Sequence, residues 1–332
     1  MLFSVSLLAC LASIGSGSLI PSVRVVAQLG PGGFLENIAV RSNSDILGTT
    51  LVPNASVYSL TKPASKHRSF ELLTTIPSIQ SLLGITELNA LGKEIFVVVG
   101  GNISSFDNVN PPVYETGSFS AWAVAFGGND VRVSKISQLS PTSEFLNGVT
   151  AVPWCVNTVL IADSKLGTVG LLDTSTGAFE ASAFAFPEMA PPPGAVFGVN
   201  GVKVSKSHLY WTNSGLLAVY RVPLTPKGYP VPGANPELVA ANVSKTYVDD
   251  FAIAANNGIF GATNVDNSLV YIDPLRWKSN TVVGVSNYPA IAGVTAVAFG
   301  RGFADCNTLY AVTASSKVNN QTQNARIVAV EF

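Results

Sequence analysis

Read for hydrophobic and polar pattern, the chain is a succession of short apolar or alternating runs punctuated by Gly, Pro, Asn, Asp and Ser, the signature of strands and turns. The clearest unit is the stretch from Phe197 to Ser214. A strand opens on Asn200-Gly201, turns at Lys206-Ser207, and is followed by a second strand containing Leu209, Tyr210 and Trp211. The same phrase returns from Glu36, Gly84, Asn147, Asp249 and Gly293. Six units at a spacing of roughly fifty residues predict an all-β fold, a six-bladed β-propeller with one sheet per repeat.

Third strands are expected over 56–60, 119–126, 168–173, 217–222, 268–272 and 326–330, and fourth strands follow in five repeats, for example over 69–75 and 179–186. The sixth repeat ends at Phe332 without one. Residues 24–29, Arg-Val-Val-Ala-Gln-Leu, are predicted to supply it from the other end of the chain, which removes the free edges of an open sheet.

The apolar run 2–14 followed by Gly15-Ser16-Gly17-Ser18 reads as a signal peptide over 1–18, with one propeller domain over 19–332. The run is too short for a confident membrane span. Four sequons, Asn54, Asn102, Asn242 and Asn320, lie in turn-like contexts and are expected to carry glycans of a secreted or secretory-pathway protein. Charged residues make up 12% of the chain and mean hydropathy is +0.37, so glycans would aid solubility. The net charge of -1, with neither sign clustered in the sequence, argues against nucleic acid or an anionic membrane as partner.

Beyond the signal peptide two cysteines remain, Cys155 and Cys306, each after the first strand of its repeat and therefore on one face. A disulfide between them is expected if the connection 300–305 carries Cys306 across the axis; two free thiols are the alternative. Residues 100–118 and 187–195 are longer than a propeller needs and should emerge where the innermost strands begin, as walls or lids of a site. The proline-rich 223–236 should emerge at the opposite face.

Aligning the six first strands places Glu36, Leu83, Asn147, Asn200, Asp249 and Ala292 at one position. Innermost strands surround the axis, so four oxygen-bearing side chains would form a ring in the channel, of the donor types that hard cations such as Ca²⁺ take and that polar ligands meet. Turn geometry favours Asn and Asp at strand starts too, residue by residue. His67 and His208 are the only histidines; G-x-S-x-G, a P-loop and C-x-x-C are absent, so triad hydrolysis, nucleotide chemistry and zinc or thiol redox sites find no support.

The Asn147-Gly148 and Asn200-Gly201 openings with Glu36 and Asp249 resemble the metal-binding ring of the gluconolactonase and regucalcin family of six-bladed propellers, although Asn37 and Asp250 stand where that family has Gly. Through residues 35–40, 160–164 and 198–202 the chain resembles more closely a fungal branch of that superfamily, which includes hetero-Diels-Alderases of tropolonic sesquiterpenoid biosynthesis. The resemblance implies addition of an o-quinone methide, made from a tropolone or phenolic alcohol by loss of water, to an alkene of a humulene-type terpene.

Such a cycloaddition needs two apolar partners held face to face and donors on the diene oxygen. Asn147 and Asn200 are the expected donors, and Glu36 or Asp249 would assist dehydration or hold an ion. Tyr114, Phe119, Trp122, Phe197, Trp211 and Phe251 are the candidate walls, against a core role for aromatic residues on strands. No cofactor is required beyond a calcium ion at the ring, if one binds. A metal-dependent lactonase and a non-catalytic binding propeller are the alternatives.

Overall fold

The structure, a computed structural model, describes residues 21–106, 111–128, 130–273, 275–285 and 287–332. The expected signal peptide and mature start near Leu19 lie outside the described residues. Six four-stranded antiparallel sheets follow one another as blades. Blade one is Phe34–Val40, Ile46–Val52, Ser56–Thr61 and Ser69–Thr75, counted outward from the axis. Its innermost two strands are almost wholly buried, whereas the outermost alternates with solvent, as expected when a strand is covered on one side only. Between blades lie apolar clusters; that between blades three and four joins Leu160 and Phe184 to Val202, Leu209 and Trp211.

Blade six closes the ring. Its own strands Val294–Phe299, Thr308–Thr313 and Arg326–Glu331 take Ser22–Gln28 as the fourth, paired from Ser22 opposite Glu331 to Gln28 opposite Arg326. Val26 and Leu29 bury their side chains there. The predicted closure by the N-terminal strand is therefore present.

In five of the six blades the innermost strand carries a bulge where it begins, blade five being the exception. Pairing is interrupted between Leu82 and Ile85, Leu146 and Val149, and Val199 and Val202, so that Leu83, Asn147 and Asn200 fall in the break together with the Gly that follows each. In blade one the break between Leu35 and Asn37 leaves Glu36 unpaired. A bulge bends the strand and re-aims the residue it frees. Adjacent inner strands come so close at this level that a Cβ on Gly84 would collide with the Asn147 carbonyl, and one on Gly148 with that of Asn200. Ala292 departs from the alignment, for it caps the short 3-10 turn Pro289–Ile291 ahead of the strand.

Cys155 is a free, half-buried thiol whose Sγ lies 3.1 Å from the Pro226 carbonyl oxygen. The expected Cys155–Cys306 disulfide is thus absent. The turn after the first strand of blade three packs Cys155 against the proline-rich connection of blade four, and so ties it to its neighbour rather than across the axis.

Candidate functional site

At the channel end where the innermost strands begin, Glu36, Asn147, Asn200 and Asp249 are all buried. Asn200 Nδ2 donates to Ser214 Oγ at 3.0 Å and to the Tyr247 hydroxyl oxygen at 3.1 Å. Asn264 Nδ2 donates to Asp249 Oδ2 at 2.8 Å, and Ser214 Oγ donates to the Val248 carbonyl at 2.7 Å. The Asn200 and Asn264 amide oxygens are buried with no partner among the described residues, so the cluster retains acceptor capacity as well as donors.

Electrostatically the cluster favours neutral forms. Burial, reinforced by Asp249 and Asp250, pushes the Glu36 carboxyl well above the usual carboxylate range. Burial likewise lifts Asp249 to about 7 against the opposing bond from Asn264, and Asp250 adds to the rise. The Tyr247 phenol is raised by burial and then by Asp249, and stays protonated. Its oxygen accepts from Asn200, which leaves its own O–H to donate.

One residue deeper, Asp250 is paired with Lys203. Lys203 Nζ reaches its two carboxylate oxygens at 2.6 and 2.7 Å, and Asn37 Nδ2 donates to it at 2.9 Å. Asn37 and Asp250, which replace the Gly of the regucalcin pattern, thus form with Lys203 a polar plug behind the ring. Two carboxyls and two amides are donor types suited to a hard cation; among the described residues, however, no group of three or more His, Cys, Asp or Glu could hold a metal ion.

Above the cluster opens a cavity of about 480 Å³. Ser214, Tyr247 and Asn264 reach its floor, and Phe106, Pro112, Pro192, Ala195, Phe197 and Val265 are among its walls. Both long connections singled out in the sequence, 100–118 and 187–195, contribute. Three tethers fix the segments around the opening. Asp163 accepts four backbone N–H bonds, from Glu144, Phe145, Lys165 and Leu166. Asn213 Nδ2 donates to the Glu188 and Ala190 carbonyls at 3.0 and 2.9 Å. Asp266 Oδ2 accepts from Lys245 N and Thr246 N and so sets the approach to Tyr247.

A protein of a Phoma species is 30% identical over 315 residues, which span 86% of this chain and 85% of that protein. One of Sarocladium schorii is 29% identical over 352 residues, 96% of this chain and 84% of its own length. Both carry the name "Putative hetero-Diels-Alderase", the second with the suffix asR5. The chain belongs to the hetero-Diels-Alderase family. No family model matches it. Among solved structures, a luciferin-regenerating enzyme superposes with a TM-score of 0.65 at 16% identity, covering 94% of this chain and 95% of that one. Regucalcin from Agrobacterium tumefaciens gives 0.58 at 14% identity over 92% and 94%. At those identities the likeness speaks for the propeller alone.

The six aromatic wall candidates separate. Phe197 lines the cavity. Tyr114 stands just behind, edge-on to Phe145, and its hydroxyl donates to Glu144 at 3.0 Å. Phe119 is fully buried beneath Tyr114 and Phe145. The other three are core. Trp122 sits on a third strand, two removed from the axis, with its Nε1–H on Ser120 Oγ. Trp211 lies between blades three and four and props the 187–190 turn through Nε1–H to the Glu188 carbonyl, 3.3 Å. Phe251, one step beyond Asp250, points between blades four and five. Strand alternation turns these rings into the blade interfaces instead of the channel.

The structure joins Asn200 and Asp249 with Tyr247, Ser214 and Asn264, which the sequence reading passed over, while Glu36 stands within electrostatic reach of Asp249 and Tyr247. Asn147 occupies the equivalent buried place in blade three, outside this hydrogen-bonded group. A register signal for the missed pair did exist: Ser214 and Asn264 end equivalent second strands, Leu-Tyr-Trp-Thr-Asn-Ser and Ile-Phe-Gly-Ala-Thr-Asn. Phe106 and Phe145 were missed as well, though Phe145 carries the aromatic contacts that join Tyr114, Phe119, Phe106 and Phe197.

Proposed function

We propose that the enzyme unites an o-quinone methide, derived from a tropolone or phenolic alcohol, with an alkene of a humulene-type sesquiterpene by an intermolecular hetero-Diels-Alder cycloaddition. The observation that carries this reading is a cavity whose walls are phenyl rings and prolines and whose floor presents neutral donors. Two apolar reactants can be stacked there, which converts a bimolecular encounter into an oriented one. As the four-atom O=C–C=C unit meets the alkene, one C–O and one C–C bond form and no atom is lost. Negative charge grows on the quinone methide oxygen, and the Tyr247 O–H supplies the donor, with Asn200 holding the phenol in place.

Glu36 and Asp249, with raised pKa values, are suited to pass a proton to the departing hydroxyl of the precursor and to take the phenolic proton in exchange. Neither histidine is among the residues that line the cavity, and the Ser214 hydroxyl donates to the Val248 carbonyl, so a Ser–His pair for nucleophilic hydrolysis is not assembled there. A lactonase holding calcium between the ring residues is the second reading, favoured by the unpartnered Asn200 and Asn264 oxygens. Secretion is proposed too, on the strength of exposed sequon residues Asn54, Asn242 and Asn320; Asn102 is half-buried and donates to Glu115 at 2.8 Å.

The test is to generate the quinone methide from its alcohol in the presence of a humulene-type alkene and to resolve the adducts by chiral chromatography. The enzyme is expected to yield one stereoisomer, unaffected by chelator, where buffer alone gives a mixture. Identical product distributions with and without the protein would remove the proposal. Chelator-sensitive lactone opening would install the second reading in its place.

A further inference from the structure

The fold sorts charge in a way that the sequence order conceals. Connections from first to second strand and from third to fourth strand all emerge at the face opposite the cavity. In blade one these turns carry Arg41, Lys62, Lys66 and Arg68, and in blade two Lys93. Blade four contributes Lys206 and Lys227, blade five Arg276 and blade six Arg301. The acids inside those same turns are Asp45 and Asp305, both buried. At the adjoining strand ends Glu94, Glu87, Glu237 and Asp273 are ion-paired with Arg41, Arg301, Arg221 and Arg276, and Asp130 and Asp173 also stand there, so the positive charge free to meet a partner is that of the lysines. Connections on the cavity face show the reverse balance, with Glu115, Glu144, Glu188, Asp249, Asp250 and Asp266 against Lys165, Lys245 and Lys317.

Large apolar side chains stand at the tips of turns on this face. Leu91, Leu275 and Phe303 are 80, 88 and 91% exposed, and Trp154, Val156 and Trp277 are also exposed. They come from four different blades, so they ring one face rather than form a strip along one edge. Neighbouring turns are braced against each other: Asn89 Nδ2 donates to the Pro153 carbonyl at 2.9 Å, and Arg301 pairs with Glu87. Lys62, Lys66, Lys93, Lys206 and Lys227 are exposed and in no ion pair among the described residues.

We infer that this face docks on an anionic lipid surface, with the Leu, Phe and Trp tips entering the boundary between headgroups and acyl chains and the lysines lying at the level of the phosphates. The argument is charge complementarity joined to exposed apolar tips. A polyanion such as nucleic acid would match the lysines but not the tips, and an apolar protein partner would match the tips but not so many unpaired lysines. Trp154 and Trp277 are of the amphipathic type enriched at the membrane interface. No helix is needed, because each contact is a turn between rigid strands. The inference does not depend on the cycloaddition reading, since it uses none of the cavity residues.

The experiment is co-sedimentation of the purified protein with vesicles of phosphatidylcholine alone and with vesicles that also contain phosphatidylserine. Binding to the anionic vesicles is expected, with a blue shift of tryptophan fluorescence and release at high salt. Each lysine near such a surface is worth roughly fivefold in partitioning, so the triple variant Lys62→Glu, Lys66→Glu, Lys93→Glu should bind at least a hundredfold more weakly, as three such factors multiply to about that value. Leu275→Ser with Phe303→Ser should also weaken binding and abolish the fluorescence shift. An unchanged melting temperature shows that both variants fold. Equal partitioning to the two vesicle types, or binding insensitive to both variants, would overturn the inference. Binding to a DNA duplex that the Ser variants leave intact, without vesicle binding, would reassign the face to a polyanion and overturn it equally.

Discussion

Replacing Tyr247 with Phe removes one oxygen and leaves the ring that borders the cavity. In the folded protein that oxygen accepts a single bond, from Asn200 Nδ2 at 3.1 Å, and Asn200 keeps its second bond, to Ser214 at 3.0 Å. The stability cost should therefore be about 1 kcal/mol, the net worth of one buried hydrogen bond. If the phenol donates to the quinone methide oxygen as charge develops there, the rate should fall on the order of 10²-fold, or about 2.7 kcal/mol of barrier. The two effects are separable. Initial rates at saturating alkene, with the adducts resolved by chiral chromatography, should show slower turnover and a product ratio drifting toward that of the uncatalysed reaction. Rate and ratio both equal to those of the unaltered enzyme would refute the assignment. A large drop in melting temperature would instead mark the hydroxyl as structural.

Asn200→Leu, which keeps approximate volume, should lower the rate by a similar order while terpene binding changes little, checked by the split between kcat and KM. Asp249 gives a pH prediction. Its carboxyl rises from an ordinary value of 3.8 to about 7 in the folded protein, so the native state holds the proton more tightly and this group's contribution to stability, full below 3.8, is lost as pH climbs through 7. Asp249→Asn should accordingly raise the melting temperature by a few degrees at alkaline pH and much less in mild acid, which differential scanning fluorimetry at two pH values would show; a shift independent of pH would count against it. Deleting residues through Leu29 should expose the Arg326–Glu331 edge and drive aggregation, visible by light scattering, because that strand loses its partner from Ser22 to Gln28. Cys155 should take up an alkylating reagent in denatured, unreduced protein, and Cys155→Ser should leave the melting temperature within about half a degree, since its thiol makes only a weak contact to Pro226.

Local pattern determined much of this protein. Strand, turn and repeat are short-range properties, so six blades, their strand order and even the use of Ser22–Gln28 to finish the last blade could be read from apolar runs and a missing fourth strand. Repetition also exposed Glu36, Asn200 and Asp249, because equivalent positions in a closed ring must converge on its axis. What the repeat could not give was anything set by contacts between blades. Tyr247 enters the cluster from the connection between blades four and five, and the bonds of Asp266 to Lys245 and Thr246, with that of Asn200 to the phenol, fix where it points. Trp122, Trp211 and Phe251 have the sequence signature of walls, yet alternation and distance from the axis place them in blade interfaces. Cys155 and Cys306 share a face without sharing a bond, since a common face says nothing about separation across the axis. Charge is the clearest case: Lys62, Lys93, Lys206 and Lys227 are scattered along the chain and gather only because every second connection of an up-and-down blade returns to the same side.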